Sequence, residues 1–125
     1  MKEGCSFCEI LKRNDPEKIL FKTRHFFVIF DTNPVNEGHM LIIPVSHVEN
    51  VFDFSKSDWE DIPIVLSGCK FFGEEFNADG YNIGINCGEV AGQTVMHAHI
   101  HFIPRYKGDV ENPEGGIRNF KLLIK

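Results

Sequence analysis

Three histidines at alternate positions are the residues of this chain best suited to chemistry. The chain has 125 residues and six histidines, and three of the six stand in "HAHIH" at residues 97–101. Side chains of a β-strand point to alternate faces, so a strand here would place His97, His99 and His101 on one face and the apolar residues between them on the other. We therefore predict a strand over residues 94–105 with one imidazole face and one core face.

Two kinds of chemistry fit three alternating imidazoles. Together they could bind one catalytic metal ion, as tri-histidine zinc sites do. On a strand, however, the Cα atoms of His97 and His101 would lie roughly 13 Å apart, too far for both rings to reach one ion. A metal site with two histidines stays open. In the second chemistry, neutral His99 attacks phosphorus and forms a covalent intermediate, which divides one displacement into two easier steps.

The residues before the triad offer donors for a phosphate group. The backbone amide of Gly92, the side-chain amide of Gln93 and the hydroxyl of Thr94 stand directly upstream of it. Donors held close to a nucleophile stabilise the charge that develops on a reacting phosphate. We interpret this segment as a phosphate-binding loop.

Two cysteines near the start of the chain form a C-x-x-C pair, Cys5 and Cys8. This spacing indicates either metal binding or redox chemistry, and the alternative is two reduced thiols packed in a short helix. The first ten residues lack the apolar run of a signal peptide, so we expect a cytoplasmic protein without disulfides.

Composition argues against two classes of partner. The formal net charge is −5 and the basic residues are not clustered, which is unlike a surface for nucleic acid or a membrane. No stretch approaches the roughly 18 apolar residues that a membrane span needs. A small phosphate-bearing molecule stays compatible with this charge, because local amides and imidazoles can bind it.

The elements that must position these residues predict one α+β domain over residues 1–125. Apolar and turn patterns predict a short helix after Cys5, an antiparallel meander over 19–47 and a long helix with Ser55 as its N-cap. Strands at 81–87 and 94–105 complete a five-stranded antiparallel sheet. Residues 106–125 read as loop before a final apolar "FKLLI".

The triad and the segments upstream of it resemble the histidine triad (HIT) family, whose motif is His-φ-His-φ-His-φ-φ with φ apolar. The likeness runs through "GQTVMHAHIHFIPR", "YNIGINC" and "CSFCEIL", and it covers nearly the whole chain to about Gly116. It implies a HIT-like α+β fold in which two protomers form one continuous sheet in a homodimer, with a pocket for a purine nucleotide on each.

The resemblance also implies an activity and its residues. The activity is hydrolysis or transfer of nucleoside 5′-phosphates through a nucleotidyl intermediate on His99, with His101 on the side of the phosphate or leaving group. Asn86, Gln93 and Thr94 match phosphate-contacting positions, Asp31 a ribose contact, and Phe7, Ile10 and Ile29 the residues around the base. A structural Zn²⁺ would be held by Cys5, Cys8, His47 and His97, which leaves His99 free of metal.

The resemblance leaves the substrate open. "AGQTV", together with His39 after Gly38, looks like the branch that cleaves dinucleoside polyphosphates, whereas the C-x-x-C start looks like bacterial members that include nucleoside phosphoramidases. Because the loop has no Lys or Arg, we expect cleavage of a polyphosphate to need Mg²⁺. Glu114 replaces an Arg common in related tails, and this departure favours the alternative of a catalytically weak nucleotide-binding module or scaffold.

Overall fold

A computed structural model describes residues 2–120 of the chain. The helices and strands are α1 (Ser6–Arg13), β1 (Ile19–Lys22), β2 (Phe26–Phe30), β3 (Met40–Pro44), α2 (Lys56–Gly73), β4 (Gly80–Gly84) and β5 (Ile100–Arg105). The strands form one antiparallel sheet in the order β1-β2-β3-β5-β4. The predicted α+β fold, with five strands, one long helix and one short helix, is confirmed.

The two faces of the sheet are both covered at β2 and β3, which are interior strands. Phe26, Val28 and Ile42 point toward α2 and pack with Val65 and Cys69 of that helix in one core. The alternate residues of the same strands point the other way, toward α1, and form a second core with Phe7 and Leu11. This two-sided burial explains why β2 and β3 read as continuous apolar runs instead of alternating ones.

The two helices begin and end where local side-chain chemistry allows. Cys5 caps α1 by accepting a hydrogen bond from the backbone N–H of Cys8, and Asn14 ends the helix in the left-handed conformation at φ 49°. At α2, Ser55 and Asp58 form a reciprocal capping box, which confirms the predicted N-cap. The cap of α1 therefore also fixes the two cysteines of the C-x-x-C pair next to each other.

The last strand is shorter than predicted, because β5 begins at Ile100 and not at residue 94. Its neighbour β3 ends at Pro44, which has no N–H to continue the ladder beyond the pair Ile42↔Ile100. The N–H of Ala98 instead donates to the carbonyl of Val48 at 2.7 Å. His97 and His99 thus lie in the loop that leads into the strand, and only His101 lies on the strand itself.

The chain after β5 is loop up to a short 3₁₀ helix at Gly116–Phe120, whereas the sequence predicted loop throughout. The apolar end of "FKLLI" at residues 121–124 falls outside the described residues. Within residues 2–120, no helix has both the length and the apolar composition needed to cross a bilayer. The single-domain boundary and the sheet shared between two subunits stay predictions.

Candidate functional site

Four predicted metal ligands come together at one end of the sheet. Cys5 and Cys8 at the start of α1, His47 after β3 and His97 before β5 each offer a ligand atom, and these atoms all lie within 4.8 Å of one another. The Sγ atom of Cys5 lies 3.4 Å from Nδ1 of His97, and the Sγ atom of Cys8 lies 3.4 Å from Nδ1 of His47. A Cys2His2 set is typical of closed, tetrahedral structural zinc sites.

The protonation of His97 suits it to bind a metal ion. Its Nε2 lies 2.9 Å from the carbonyl oxygen of Pro44, and a carbonyl only accepts, so Nε2 carries the ring proton. Its Nδ1 therefore turns a lone pair toward the thiols. Burial, assisted by His47 and His99, lowers the pKa of His97 to about 4, so the ring is neutral at pH 7 as a ligand must be.

His99 has the opposite tautomer. Its Nδ1 lies 2.9 Å from the carbonyl oxygen of His97, so this nitrogen carries a proton, and in the neutral ring Nε2 carries the lone pair. The ring is 8% exposed and packs against the edge of Phe7, with 5.1 Å between ring centroids. In the described part of the chain, His99 belongs to neither cluster of potential metal ligands.

His101 lies in a second cluster, with Asp31 and His39. Nδ1 of His101 is 2.9 Å from Nε2 of His39, and Oδ2 of Asp31 is 3.4 Å from the same Nε2. His97 and His101 belong to different clusters, which agrees with the prediction that they lie too far apart to bind one metal ion. The specific contact between His39 and His101 was not predicted from the sequence.

A cleft of about 890 Å³ opens beside this second cluster. Asp31, His39, His101 and Asn86 line its polar end, and Ile85, Val90, Ile103 and Ile117 line an apolar wall. Asp31 is the one carboxylate in this lining, and within residues 2–120 the lining contains no Lys or Arg. The cleft is large enough for a small-molecule ligand and offers an anion only neutral donors.

Not every predicted contact residue reaches this cleft. Asp31, Asn86 and His101 line it, but Thr94 lies in a separate depression beside His47. Phe7 and Ile29 are buried in the core on the α1 side, and Ile10 packs against that core. Their proposed contacts with the base therefore depend on a ligand that approaches along α1, past Phe7 and His99.

Gln93 is turned away from the cleft and into its own loop. Its Oε1 accepts from the N–H of Gly88 at 2.8 Å, and its Nε2 donates to the carbonyls of Glu49 and Val95 at 2.7 and 3.0 Å. The side chain is almost fully buried, and both its oxygen and its nitrogen form hydrogen bonds with backbone groups. Gln93 thus braces the loop in which the phosphate-binding donors were predicted.

Replacing Gln93 by Leu is expected to lower the free energy of unfolding by about 1–3 kcal/mol, because the buried side chain loses three part-buried hydrogen bonds to backbone groups. Chemical denaturation measures this change. Thr94→Val is the matched control and should stay within about 0.5 kcal/mol of wild type, since Thr94 is exposed. Unchanged stability of the Leu variant, together with weaker nucleotide binding, would instead assign Gln93 a direct phosphate contact.

The comparison with known proteins identifies the family. Residues 12–108 match the family model of the HIT domain, and the chain belongs to the HIT family. It is 38% identical over 122 residues to an uncharacterized HIT-like protein of Methanocaldococcus jannaschii, with 94% of this chain and 92% of that protein covered.

Two relatives have names that state an activity. The Bis(5′-adenosyl)-triphosphatase of Dictyostelium discoideum is 41% identical over 96 residues, which cover 76% of this chain and 64% of that protein. The adenosine 5′-monophosphoramidase of Saccharomyces cerevisiae is 35% identical over 103 residues, which cover 82% of this chain and 63% of that protein. Among solved structures, a zinc-bound histidine triad family protein from Mycobacterium smegmatis has a TM-score of 0.75 at 34% identity, with 85% of this chain and 78% of that chain covered.

Proposed function

We propose that this protein is a nucleotide hydrolase or transferase that cleaves dinucleoside polyphosphates or nucleoside phosphoramidates through a nucleotidyl-His99 intermediate. The observation that carries the proposal is the hydrogen bond from Nδ1 of His99 to the carbonyl of His97, which in the neutral ring leaves the lone pair on Nε2 as the nucleophile. The triphosphatase and the phosphoramidase among the relatives support this class of reaction.

In the first step, the lone pair on Nε2 of His99 attacks the α-phosphorus. A nitrogen–phosphorus bond forms, the bond to the leaving group breaks, and its electron pair departs with that group. In the second step, water attacks the same phosphorus, the nitrogen–phosphorus bond breaks and its electrons return to Nε2. The water proton is released, and the product is a nucleoside monophosphate. Charge on the phosphate oxygens grows in both steps, so fixed donors nearby lower the barrier.

Two groups of the cleft suit the remaining contacts. Asn86 faces the cleft with an amide that can donate to a phosphate oxygen, and the Asp31 carboxylate can accept from ribose hydroxyls. The carboxylate would also repel a phosphate placed next to it, which favours a sugar at that end. The assignment of Phe7, Ile10 and Ile29 to the base rests on the resemblance and, for Phe7, on its contact with His99.

We assign Zn²⁺ to the cluster of Cys5, Cys8, His47 and His97. This ion fits the set of four donors, which includes two thiols and the lone pair on Nδ1 of His97. The zinc-bound relative supports the assignment. When bound, the ion supplies no open coordination position for chemistry. It joins the start of α1 to the loops that carry His47 and His97, and so helps to hold Phe7 against His99.

A homodimer is part of the same proposal. In a continuous sheet, an edge strand of one subunit pairs with an edge strand of the other. The edge strands of the described sheet are β1 and β4. Ile83 in β4 and Ile85 just after it are 42% and 39% exposed, which favours the β4 edge. Light scattering on the purified protein measures the mass directly.

The reduced cysteine pair also suits the cytoplasm, where we place the protein.

Mass spectrometry of the quenched reaction tests the proposed intermediate. A nucleoside monophosphate adduct on the peptide that contains His99, formed with a phosphoramidate or a diadenosine polyphosphate, is the expected result. If the protein binds AMP or GMP but turns over neither a phosphoramidate nor a diadenosine polyphosphate, the alternative of a nucleotide-binding module would be supported. The divergent tail at Glu114 favours this alternative.

Mg²⁺ is expected to separate the two substrate classes. Among the described residues that line the cleft there is no Lys or Arg to bind a polyphosphate, so Mg²⁺ should stimulate cleavage of diadenosine tri- and tetraphosphate by about tenfold or more. Cleavage of a phosphoramidate, which carries less charge, should change little. The assay is a Mg²⁺ titration in buffer without chelator, so that the cysteine cluster keeps its metal. Equal stimulation of both substrates would show this electrostatic argument to be wrong.

A further inference from the structure

The cleft lies over strand β5 and is bounded on both sides by other elements. His101 and Ile103 line it from the half-exposed face of β5, whose alternate residues are buried. β5 pairs with β4 on one side and with β3 on the other. Asn82 and Gly84 line the cleft from β4, and the loop between β2 and β3 (residues 31–39, the β2–β3 loop) lines it from the other side. The width of the cleft therefore depends on how this loop and β4 are held relative to β5.

The same face of β5 ends at Arg105, which forms an ion pair with Asp109. Nε of Arg105 donates to Oδ2 of Asp109 and Nη2 donates to Oδ1, each at 2.8 Å, which is the bidentate geometry that guanidinium and carboxylate groups favour. The backbone N–H of Tyr106 also donates to Oδ2 of Asp109, at 3.0 Å. The Arg105 guanidinium, and after it the Tyr106 N–H, hold the pKa of Asp109 well below its usual range, so the carboxylate is charged at pH 7.

The ion pair contacts the elements on both sides of the cleft. On one side, Nδ2 of Asn36 in the β2–β3 loop donates to Oδ2 of Asp109 at 2.7 Å and to the carbonyl of Pro104 at 3.0 Å. On the other side, Nη1 of Arg105 donates to Oδ1 of Asn82 in β4. We propose that Asp109 is a positioning residue that, through Asn36 and Arg105, holds the β2–β3 loop and β4 against β5 and so fixes the width of the cleft.

The competing explanation is an ordinary surface ion pair, which contributes little to a protein. The Asp109 carboxylate differs from such a pair because it accepts four hydrogen bonds from three residues, and its side chain is only 14% exposed. One of these donors, Asn36, lies 73 positions away in the chain. A second contact joins the same two segments, since the hydroxyl of Tyr106 donates to the carbonyl of Glu37 at 2.7 Å. The network therefore connects separate segments instead of decorating one of them.

The consequence for nucleotide binding rests on the proposed function. The β2–β3 loop begins at Asp31, the proposed ribose contact, and β4 leads to Asn86, the proposed phosphate contact. Asp109→Ala releases both sides of the cleft and should weaken AMP binding and raise KM about tenfold, the effect of one misplaced hydrogen-bonding group. The value of kcat should stay within about twofold of wild type, because the contacts of His99 are with Phe7, His101 and the carbonyl of His97 and not with this network.

The sign of the effect on AMP binding separates positioning from plain electrostatics. Removing a carboxylate makes the protein less negative, which by itself strengthens the binding of an anion. Glu111→Ala is the matched control, since Glu111 is an exposed carboxylate two positions from Asp109 that lines the same surface depression. It should bind AMP as tightly as wild type or slightly more tightly, whereas Asp109→Ala should bind it less tightly. Equal or tighter AMP binding by Asp109→Ala would overturn the proposal. Calorimetric titration measures both affinities.

Hydrogen–deuterium exchange of the zinc-loaded protein tests the positioning role without any nucleotide. In Asp109→Ala, the backbone amides of residues 31–39 and 80–86 should exchange at least about fivefold faster than in wild type, whereas those of α2 and those of the Glu111→Ala variant should not change. Asn36→Ala leaves the ion pair in place and should speed exchange only in residues 31–39. In the double variant, the effects of Asn36→Ala and Asp109→Ala on these residues should not add, because both remove the same hydrogen bond.

Two outcomes distinguish the positioning role from the proposed function. Unchanged exchange of residues 31–39 in Asp109→Ala would overturn the positioning role, and Asn36→Ala decides the same question if Asp109→Ala does not fold. If wild type binds no AMP while the exchange rates change as expected, the proposed function is contradicted and the positioning role of Asp109 stands.

Discussion

Replacing His99 by alanine is expected to reduce kcat/KM by at least about 10³-fold for a phosphoramidate or a diadenosine polyphosphate. The variant loses the nitrogen that forms the bond to phosphorus, and the neighbouring rings of the triad are engaged elsewhere. Nδ1 of His97 faces the cysteines, and Nδ1 of His101 lies 2.9 Å from Nε2 of His39. Steady-state kinetics on both substrates measure the loss.

The fold of this variant should be intact, because the ring contacts mainly Phe7, His101 and the carbonyl of His97. Circular dichroism and zinc content check this. His25→Ala is the matched control, since His25 lies between β1 and β2 near Asp58 of α2 and outside the cleft lining. Turnover of His99→Ala within about tenfold of wild type would remove His99 as the nucleophile.

Replacing Cys8 by serine is expected to release the metal ion and to lower the free energy of unfolding by about 3 kcal/mol or more, because binding to a structural site contributes directly to folding. Purified wild type should contain about one zinc ion per chain, as a single four-ligand site requires. Elemental analysis and thermal denaturation measure the two effects.

Cys87→Ser provides the control, because Cys87 is a free, half-buried cysteine outside the Cys/His cluster. It should retain zinc and melt close to wild type. The structural role of zinc would be contradicted if three samples had the same melting temperature. These samples are metal-free wild type, zinc-loaded wild type and Cys8→Ser. A dependence of activity on oxidation of the pair, without any bound metal, would favour the redox interpretation of C-x-x-C.

Features set by near neighbours in the sequence were predictable. The cap at Ser55 depends on Asp58 three residues later, and the helix after Cys5 depends on apolar spacing within two turns. The convergence of the two cysteines with His47 and His97 was implied by resemblance to the family, since these residues are up to 92 positions apart and their spacing alone does not bring them together.

Features set by strand register were not predictable. The early end of the β3–β5 ladder follows from Pro44 lying opposite the segment before Ile100, which cannot be known before the strands are aligned. The contact of His39 with His101 depends on the same register, in which Leu41 pairs with His101. The direction of the Gln93 side chain is fixed by carbonyls at Glu49 and Val95, one of which is 44 positions away.

One residue, His97, serves two sites through two different parts of its structure. Its ring faces the cysteines, and its backbone carbonyl holds the proton of His99. Any substitution of His97 removes the ring but keeps the carbonyl. The effect of such a substitution on catalysis therefore reports how far this carbonyl, and with it His99, is displaced when the ring is lost. In evolutionary terms the two sites are therefore not independent: a lineage that gave up the metal would have to replace it with other contacts that hold this peptide group in place.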